Sequence, residues 1–101
     1  MKSCLVIIDV QNGFISDRTN HIPDKIVELV KKHNNLFSHI VATKFRNLLG
    51  SPYEHFMNWH CLSNSHSQEL DSRIQKIPKK VFTRSTYTCW TDEFSEFLTK
   101  N

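Results

Sequence analysis

The stretch Cys4-Leu-Val-Ile-Ile8, followed directly by Asp9, decides the fold of this 101-residue chain. Its five residues form a continuous apolar run that is rich in β-branched side chains. Such a run is typical of a strand that is buried on both faces of a parallel sheet. Asp9 would then lie at the carboxyl end of that strand, where open α/β sheets bind their ligands. The sequence therefore predicts an α/β protein with Asp9 at its site.

The segments after Asp9 repeat the alternation of helix and strand. An apolar period of 3.6 residues begins at Pro23 and predicts a helix over residues 23–34. Residues 39–45 read as a second strand, and a strand, helix, strand order implies a right-handed parallel crossover. A third strand is predicted at residues 80–83 and a last helix at residues 91–100.

Two polar segments interrupt this alternation. Residues 12–20 carry turn-forming side chains without an apolar period, which predicts an open loop. Residues 46–67 are rich in Asn, Ser and His, and within them Ser51 and Glu54 match a capping box that opens a short helix through Met57. Long irregular excursions of this kind usually line a site.

Composition and charge exclude several classes of protein. The net charge is only +3, from 13 basic and 10 acidic residues that are scattered along the chain, so a nucleic-acid partner is not expected. Three cysteines, Cys4, Cys61 and Cys89, show no CxxC spacing and predict reduced thiols. The apolar run at residues 4–8 is too short for a signal peptide or a membrane span. We therefore expect a cytoplasmic protein without a membrane partner.

By position alone, Asp9 is either a ligand-facing carboxylate or a cap of the following loop. A haloacid-dehalogenase phosphatase also begins with a strand and an aspartate, but it needs a second aspartate where Gln11 stands. A response-regulator receiver needs an acidic pair, which is missing as well. Hard cations need several oxygen ligands, and this loop offers too few.

Four segments resemble the isochorismatase-like cysteine hydrolases, in the order of that family and over nearly the whole chain. They are Leu5-Val-Ile-Ile-Asp9-Val-Gln11-Asn-Gly-Phe14, Ile40-Val-Ala-Thr-Lys44-Phe-Arg-Asn47, Ser51-Pro-Tyr-Glu54 with Trp59, and Val81-Phe-Thr-Arg84-Ser-Thr-Tyr87. The resemblance implies a Rossmann-like three-layer α/β/α fold with a parallel sheet. Residues 1–101 would form the N-terminal portion of the domain, with the first three strands and their helices.

The chemistry that the resemblance implies is hydrolysis of a C–N amide or related bond by a cysteine. A thiol has a reference pKa of about 8.5, so its attack needs a base and a cationic group nearby. The resemblance assigns the base to Asp9. Arg84 stands where the family carries a lysine, and it keeps the charge but in a planar guanidinium. The alternative for Arg84 is an ordinary surface ion pair.

The nucleophile of the family lies at the start of a helix after a fourth strand, and this sequence ends before such a segment. Cys89 follows the third strand but does not match that position, and free cysteines are more often small apolar side chains. We therefore expect the cysteine to lie outside this chain. The alternative is an inactive, truncated or degenerate module that binds a small molecule or pairs with another subunit.

The resemblance also implies a small-molecule substrate and a substrate contact from Phe14. Gln11, Trp59 and Tyr87 are further candidate substrate contacts, although aromatic rings also pack in any core. Nicotinamidase-like members bind a metal after their second strand, where this chain reads Lys44-Phe-Arg-Asn47. No metal or other cofactor is expected.

Two further expectations concern partners and rival functions. An incomplete sheet leaves an open edge, so we expect a homo-oligomer or a partner chain. A small phosphate-binding α/β protein is a weaker hypothesis, because neither Gly13 nor Gly50 belongs to a phosphate-cradling loop.

Overall fold

A computed structural model of the chain describes residues 3–85 and 91–100. In these ranges strands alternate with helices from the first residues onward. The elements are β1 (Cys4–Ile8), α1 (Ile22–His33), β2 (His39–Phe45), α2 (Pro52–Met57), α3 (Ser65–Gln68), β3 (Lys80–Arg84) and α4 (Asp92–Lys100), with 3₁₀ turns at Asn12–Phe14 and Asn34–Leu36.

The three strands form one parallel sheet in the order β1-β2-β3. Ile8 lies opposite Thr43 in the register of the first pair, and Phe45 lies opposite Arg84 in that of the second. The parallel α/β architecture predicted from the sequence is therefore confirmed. Because all strands run the same way, the residues after Ile8, Phe45 and Arg84 gather at one edge of the sheet.

Packing on both faces of β1 and β2 makes three layers, whereas at β3 the described residues cover only the Phe82 side and Val81 is 38% exposed. Side chains alternate between the faces of a strand, so the neighbours Val41 and Ala42 belong to different cores. The Ala42 core includes Ile7, Leu70 and Ile74 and packs against Ile26 and Val27 of α1. The Val41 core includes Phe82 and Phe94 and packs against Phe97 and Leu98 of α4.

The predicted element boundaries differ little from the observed ones. β2 is confirmed at its predicted bounds, and α1 and α4 each lie within one residue of theirs. The predicted helix at Ser51 is also confirmed, since Ser51 Oγ accepts a hydrogen bond from Glu54 N. The Glu54 carboxylate reaches back to Gly50 N at 2.8 Å, one residue earlier than in the usual capping box.

Two short helical turns inside the polar segments were not predicted. The loop after β1 contains the turn Asn12–Phe14, and α3 lies within the segment that was predicted as irregular apart from the helix at Ser51. Asn64 caps α3 by accepting a hydrogen bond from Ser67 N at 2.8 Å. A four-residue helix is too short to show an apolar period. The capping residue Asn64 is therefore the feature of the sequence that indicates α3.

Helix length also bears on membranes. None of the helices within the described ranges combines the length and apolar character that crossing a bilayer requires.

Candidate active site

Asp9 lies directly after β1 in a left-handed backbone conformation, with φ of +55°. Few non-glycine residues adopt this region, although aspartate does so more readily than most. Asp9 N still donates to Thr43 O at 3.1 Å, and Thr43 Oγ1 donates to Asp9 Oδ1 at 2.8 Å. Both the backbone and the carboxylate of Asp9 are therefore held by β2, and strained backbone of this kind is frequent at functional sites.

Arg84 brings a positive charge to the same carboxylate from the end of β3. Its guanidinium donates to Asp9 Oδ2, and the two side chains are only 11% and 13% exposed. The guanidinium carbon also lies 5.2 Å from the ring centroid of Phe45, within the range of a cation–π contact. The alternative of an ordinary surface ion pair for Arg84 is therefore wrong, because this pair is largely withdrawn from water.

Aromatic side chains form a cavity of about 340 Å³ over this ion pair. The Phe45 and Tyr53 ring centroids lie 5.2 Å apart, and Trp59 lies 6.1 Å from Tyr53 and 6.4 Å from Phe14. The rings therefore pack on one another and face the cavity at once. The residues that line it are Asp9, Phe14, Phe45, Tyr53, Met57, Trp59 and Arg84.

Gln11 occupies a different place from the one expected of a substrate contact. Its side chain is fully buried and is absent from the lining of this cavity. Gln11 Nε2 donates to Phe45 O at 2.8 Å and to Gln68 O at 2.7 Å, and Gln11 Oε1 accepts from Phe45 N at 2.8 Å. The carboxamide thus pairs with the end of β2 as a neighbouring strand would. We correct its role from substrate contact to positioning of Phe45.

Asn47, Thr43 and Tyr53 were not predicted as site residues. Asn47 is buried, and its Nδ2 donates to Trp59 O at 3.0 Å and to Cys61 O at 2.9 Å, so it anchors the segment that carries Trp59. Thr43 could have been found from the register, since it pairs with the residue before Asp9. Tyr53 belongs to the segment Ser51-Pro-Tyr-Glu54, but no pattern in the sequence shows that its ring packs against Phe45.

Neither cysteine among the described residues lines the aromatic cavity with Asp9. Burial raises the pKa of the Cys4 thiol while nearby Lys79 acts in the opposite sense, which disfavours a reactive thiolate. Cys61 is exposed and does not line the aromatic cavity. Tyr87, a predicted substrate contact, and the thiol of Cys89 lie outside the described residues.

The side chains of the described residues also bear on metal binding. In residues 3–85 and 91–100, no three His, Cys, Asp or Glu side chains lie together as metal ligands would. The carboxylate of Asp9 is instead engaged by a hydroxyl and a guanidinium. These residues do not fit a metal centre.

Asp9, in a left-handed backbone conformation, and the largely buried Arg84 lie under an aromatic cavity at the carboxyl edge of the parallel sheet of a Rossmann-like α/β fold. The family model described as "Isochorismatase domain" matches residues 3–101. The chain therefore belongs to the isochorismatase family, whose members are hydrolases.

Solved structures share this fold. N-carbamoylsarcosine amidase from Thermoplasma acidophilum is similar with a TM-score of 0.81 and 16% identity, over 100% of this chain and 62% of that one. A putative hydrolase of the isochorismatase family from Chromobacterium violaceum ATCC 12472 has a TM-score of 0.68 and 12% identity, over 99% of this chain and 52% of that one. The chain thus spans between half and two thirds of the length of these proteins. A search of curated proteins finds no match.

Proposed function

We propose that this protein is part of a hydrolase that cleaves a C–N amide or related bond of a small molecule, with Asp9 as the base. The observation that carries the proposal is the Asp9 carboxylate, held by Thr43 and Arg84 at the floor of the aromatic cavity. Family membership and the similarity to an amidase support the reaction class. The nucleophilic cysteine is proposed to come from outside the described residues.

The proposed roles of Asp9 and Arg84 follow from the contacts of the Asp9 carboxylate. Each carboxylate oxygen can accept more than one hydrogen bond, so Thr43 and Arg84 leave capacity for a thiol proton. Asp9 would take that proton, and the adjacent Arg84 would stabilise the thiolate electrostatically. Arg84 differs from an ammonium because its planar head also rests on the Phe45 ring. Arg84 would therefore orient Asp9 without exchanging a proton.

The cavity sets the kind of substrate. Its walls are aromatic apart from Met57, and Phe14 is partly exposed, so a ring face is available for contact. A volume of about 340 Å³ suits a small molecule, at the low end of ordinary ligand pockets. We propose a compact substrate with a flat or apolar body whose scissile bond points towards Asp9.

The test is ammonia release from a panel of small primary amides and N-carbamoyl compounds by the protein from its native source. We expect turnover that iodoacetamide abolishes and that Asp9→Asn lowers by about 100-fold or more, as removal of a catalytic base does. Lys76→Met is the control, because Lys76 is exposed and lies outside the cavity. Turnover that survives in Asp9→Asn would contradict the assignment of the base.

A binding or assembly module is the second candidate, and exposed apolar side chains near the site favour it. Leu49, Phe56 and Met57 are 96%, 80% and 62% exposed, and Met57 also lines the aromatic cavity. Large exposed apolar groups in one segment mark interaction surfaces. We propose that this segment contacts a second copy of the chain. Light scattering should show a dimer or larger species that Leu49→Ser with Phe56→Ser converts to monomer, and a monomeric parent would refute the contact.

We also propose a cytoplasmic location. The thiols of Cys4 and Cys61 are both free of disulfide bonds, as a reducing compartment keeps them. Cell fractionation tests this, and recovery from an oxidising compartment would contradict it.

A further inference from the structure

A second cavity, of about 490 Å³, lies beside the ends of β2 and β3. Phe45 lines both this cavity and the aromatic one, so the two are neighbours at the carboxyl edge of the sheet. The other residues that line it are Lys44, Arg46, Asn47, Leu48, Leu49, Ser63, Ser65, Gln68 and Thr83.

The charges of this second cavity are all positive. Lys44 and Arg46 line it, and none of the described aspartates or glutamates does. Every ion pair between described residues lies elsewhere, so neither cation has a carboxylate of residues 3–85 or 91–100 within 4.0 Å. The aromatic cavity differs in this respect, because there Arg84 is neutralised by Asp9. Two cationic residues in the lining of one cavity, without a carboxylate partner in the described ranges, favour an anionic ligand.

Hydroxyl groups add neutral donors to the two cations. Ser65 and Thr83 line the cavity, and neither hydroxyl makes a hydrogen bond to another described residue. Ser63 is different, because its Oγ already donates to His60 O at 2.8 Å. The lining of the cavity thus contains two cationic residues and two hydroxyls that have no hydrogen-bond partner among the described residues. A phosphoryl group, with its several acceptor oxygens and its negative charge, matches that set better than a carboxylate does.

We infer that this second cavity binds the phosphoryl group of a small phosphorylated molecule, held by Lys44 and Arg46. The volume exceeds what inorganic phosphate needs, and Leu48 supplies apolar surface for the rest of the ligand. The binding is independent of Asp9, because among the described residues Asp9 lines the neighbouring cavity and not this one. The absence of a glycine-rich loop does not exclude it, since side chains supply the donors here.

Titration of the ¹⁵N-labelled protein with inorganic phosphate, followed by NMR, tests the site. We expect saturable shifts of the Arg46 and Ser65 amides, with acetate binding about tenfold more weakly because it offers fewer oxygens and less charge. Lys44→Met and Arg46→Gln should each weaken phosphate binding by about tenfold, the loss of one charged hydrogen bond.

Matched variants separate the site from general electrostatics and from catalysis. Lys76→Met removes one charge outside the cavity and should change the phosphate affinity by less than about twofold. Asp9→Asn should leave phosphate binding intact even where it abolishes hydrolysis. Shifts that do not saturate, equal binding of acetate, or an equal loss in Lys76→Met would each overturn the inference.

Discussion

The two ends of β3 carry charged side chains in opposite settings. At its start Lys80 pairs with Glu93 at 3.5 Å, and these side chains are 44% and 64% exposed. At its end Arg84 pairs with Asp9 under aromatic rings, largely out of water. Water screens the first pair, whereas the second interacts strongly and would leave a buried charge if either partner were lost. The degree of burial therefore distinguishes the surface ion pair of Lys80 from the ion pair of Arg84 at the candidate site, although both lie on β3.

The largest effect is expected from breaking the buried pair. Arg84→Met should lower the free energy of unfolding by about 3 to 5 kcal/mol, because it leaves the Asp9 carboxylate buried without its cation. Urea denaturation measures the change. The double variant Arg84→Met with Asp9→Leu should recover much of that stability, and a double variant as unstable as the single one would contradict the explanation.

The next largest loss of stability is expected at Gln11, whose carboxamide holds the backbone of Phe45 beneath the site. Gln11→Leu should cost about 2 to 4 kcal/mol, because Phe45 N and Phe45 O lose their buried partners. The matched control is Gln75→Leu, since Gln75 is exposed and its side-chain amide donates to Leu70 O. Denaturation of both variants checks the contrast. Similar losses in the two would mean that burial of the carboxamide is unimportant.

A smaller loss of stability, which depends on pH, is expected from the contact between Asp71 and Arg73. The hydrogen bond from the Arg73 side chain holds the pKa of Asp71 below its usual value, and Asp71 is buried. The stabilisation is therefore present above the unfolded pKa of about 3.9 and is lost as the pH falls through the folded pKa. Asp71→Asn should cost about 1 to 3 kcal/mol at pH 7 and less in acid. A cost that stays constant down to pH 2 would refute this linkage.

The smallest effect is expected at the exposed end of β3. Lys80→Met should change the free energy of unfolding by about 0 to 1 kcal/mol, and added salt should remove the difference. Thermal unfolding at low and high salt measures it. A loss as large as that of Arg84→Met would erase the contrast between the two ends of the strand.

Much of the fold follows from local patterns. The strands β1 and β2 and the helix α1 were predicted because apolar period and turn residues act over neighbouring positions. The third strand extends one residue beyond its predicted end, to Arg84. Sequence alone also indicated the edge of the sheet at which Asp9 lies, since that depends only on strand direction.

The candidate site depended on contacts between distant parts of the chain. Arg84 and Asp9 are 75 residues apart, and motif resemblance named both without showing that they touch. Gln11 belongs to the same motif, yet its side chain turns to backbone groups of Phe45 and Gln68. No local period encodes which of two polar side chains in one loop faces a cavity.

By itself the sequence determined the elements, their order and the aspartate at the end of β1, because these follow from residue type and short-range period. Only the tertiary structure decided that Arg84 is largely buried against Asp9, and that Lys44 and Arg46 line a cavity to which no described aspartate or glutamate belongs. The physical reason is that burial and ion pairing depend on strand register and on the path of the segment between β2 and β3. Those are set by long-range packing.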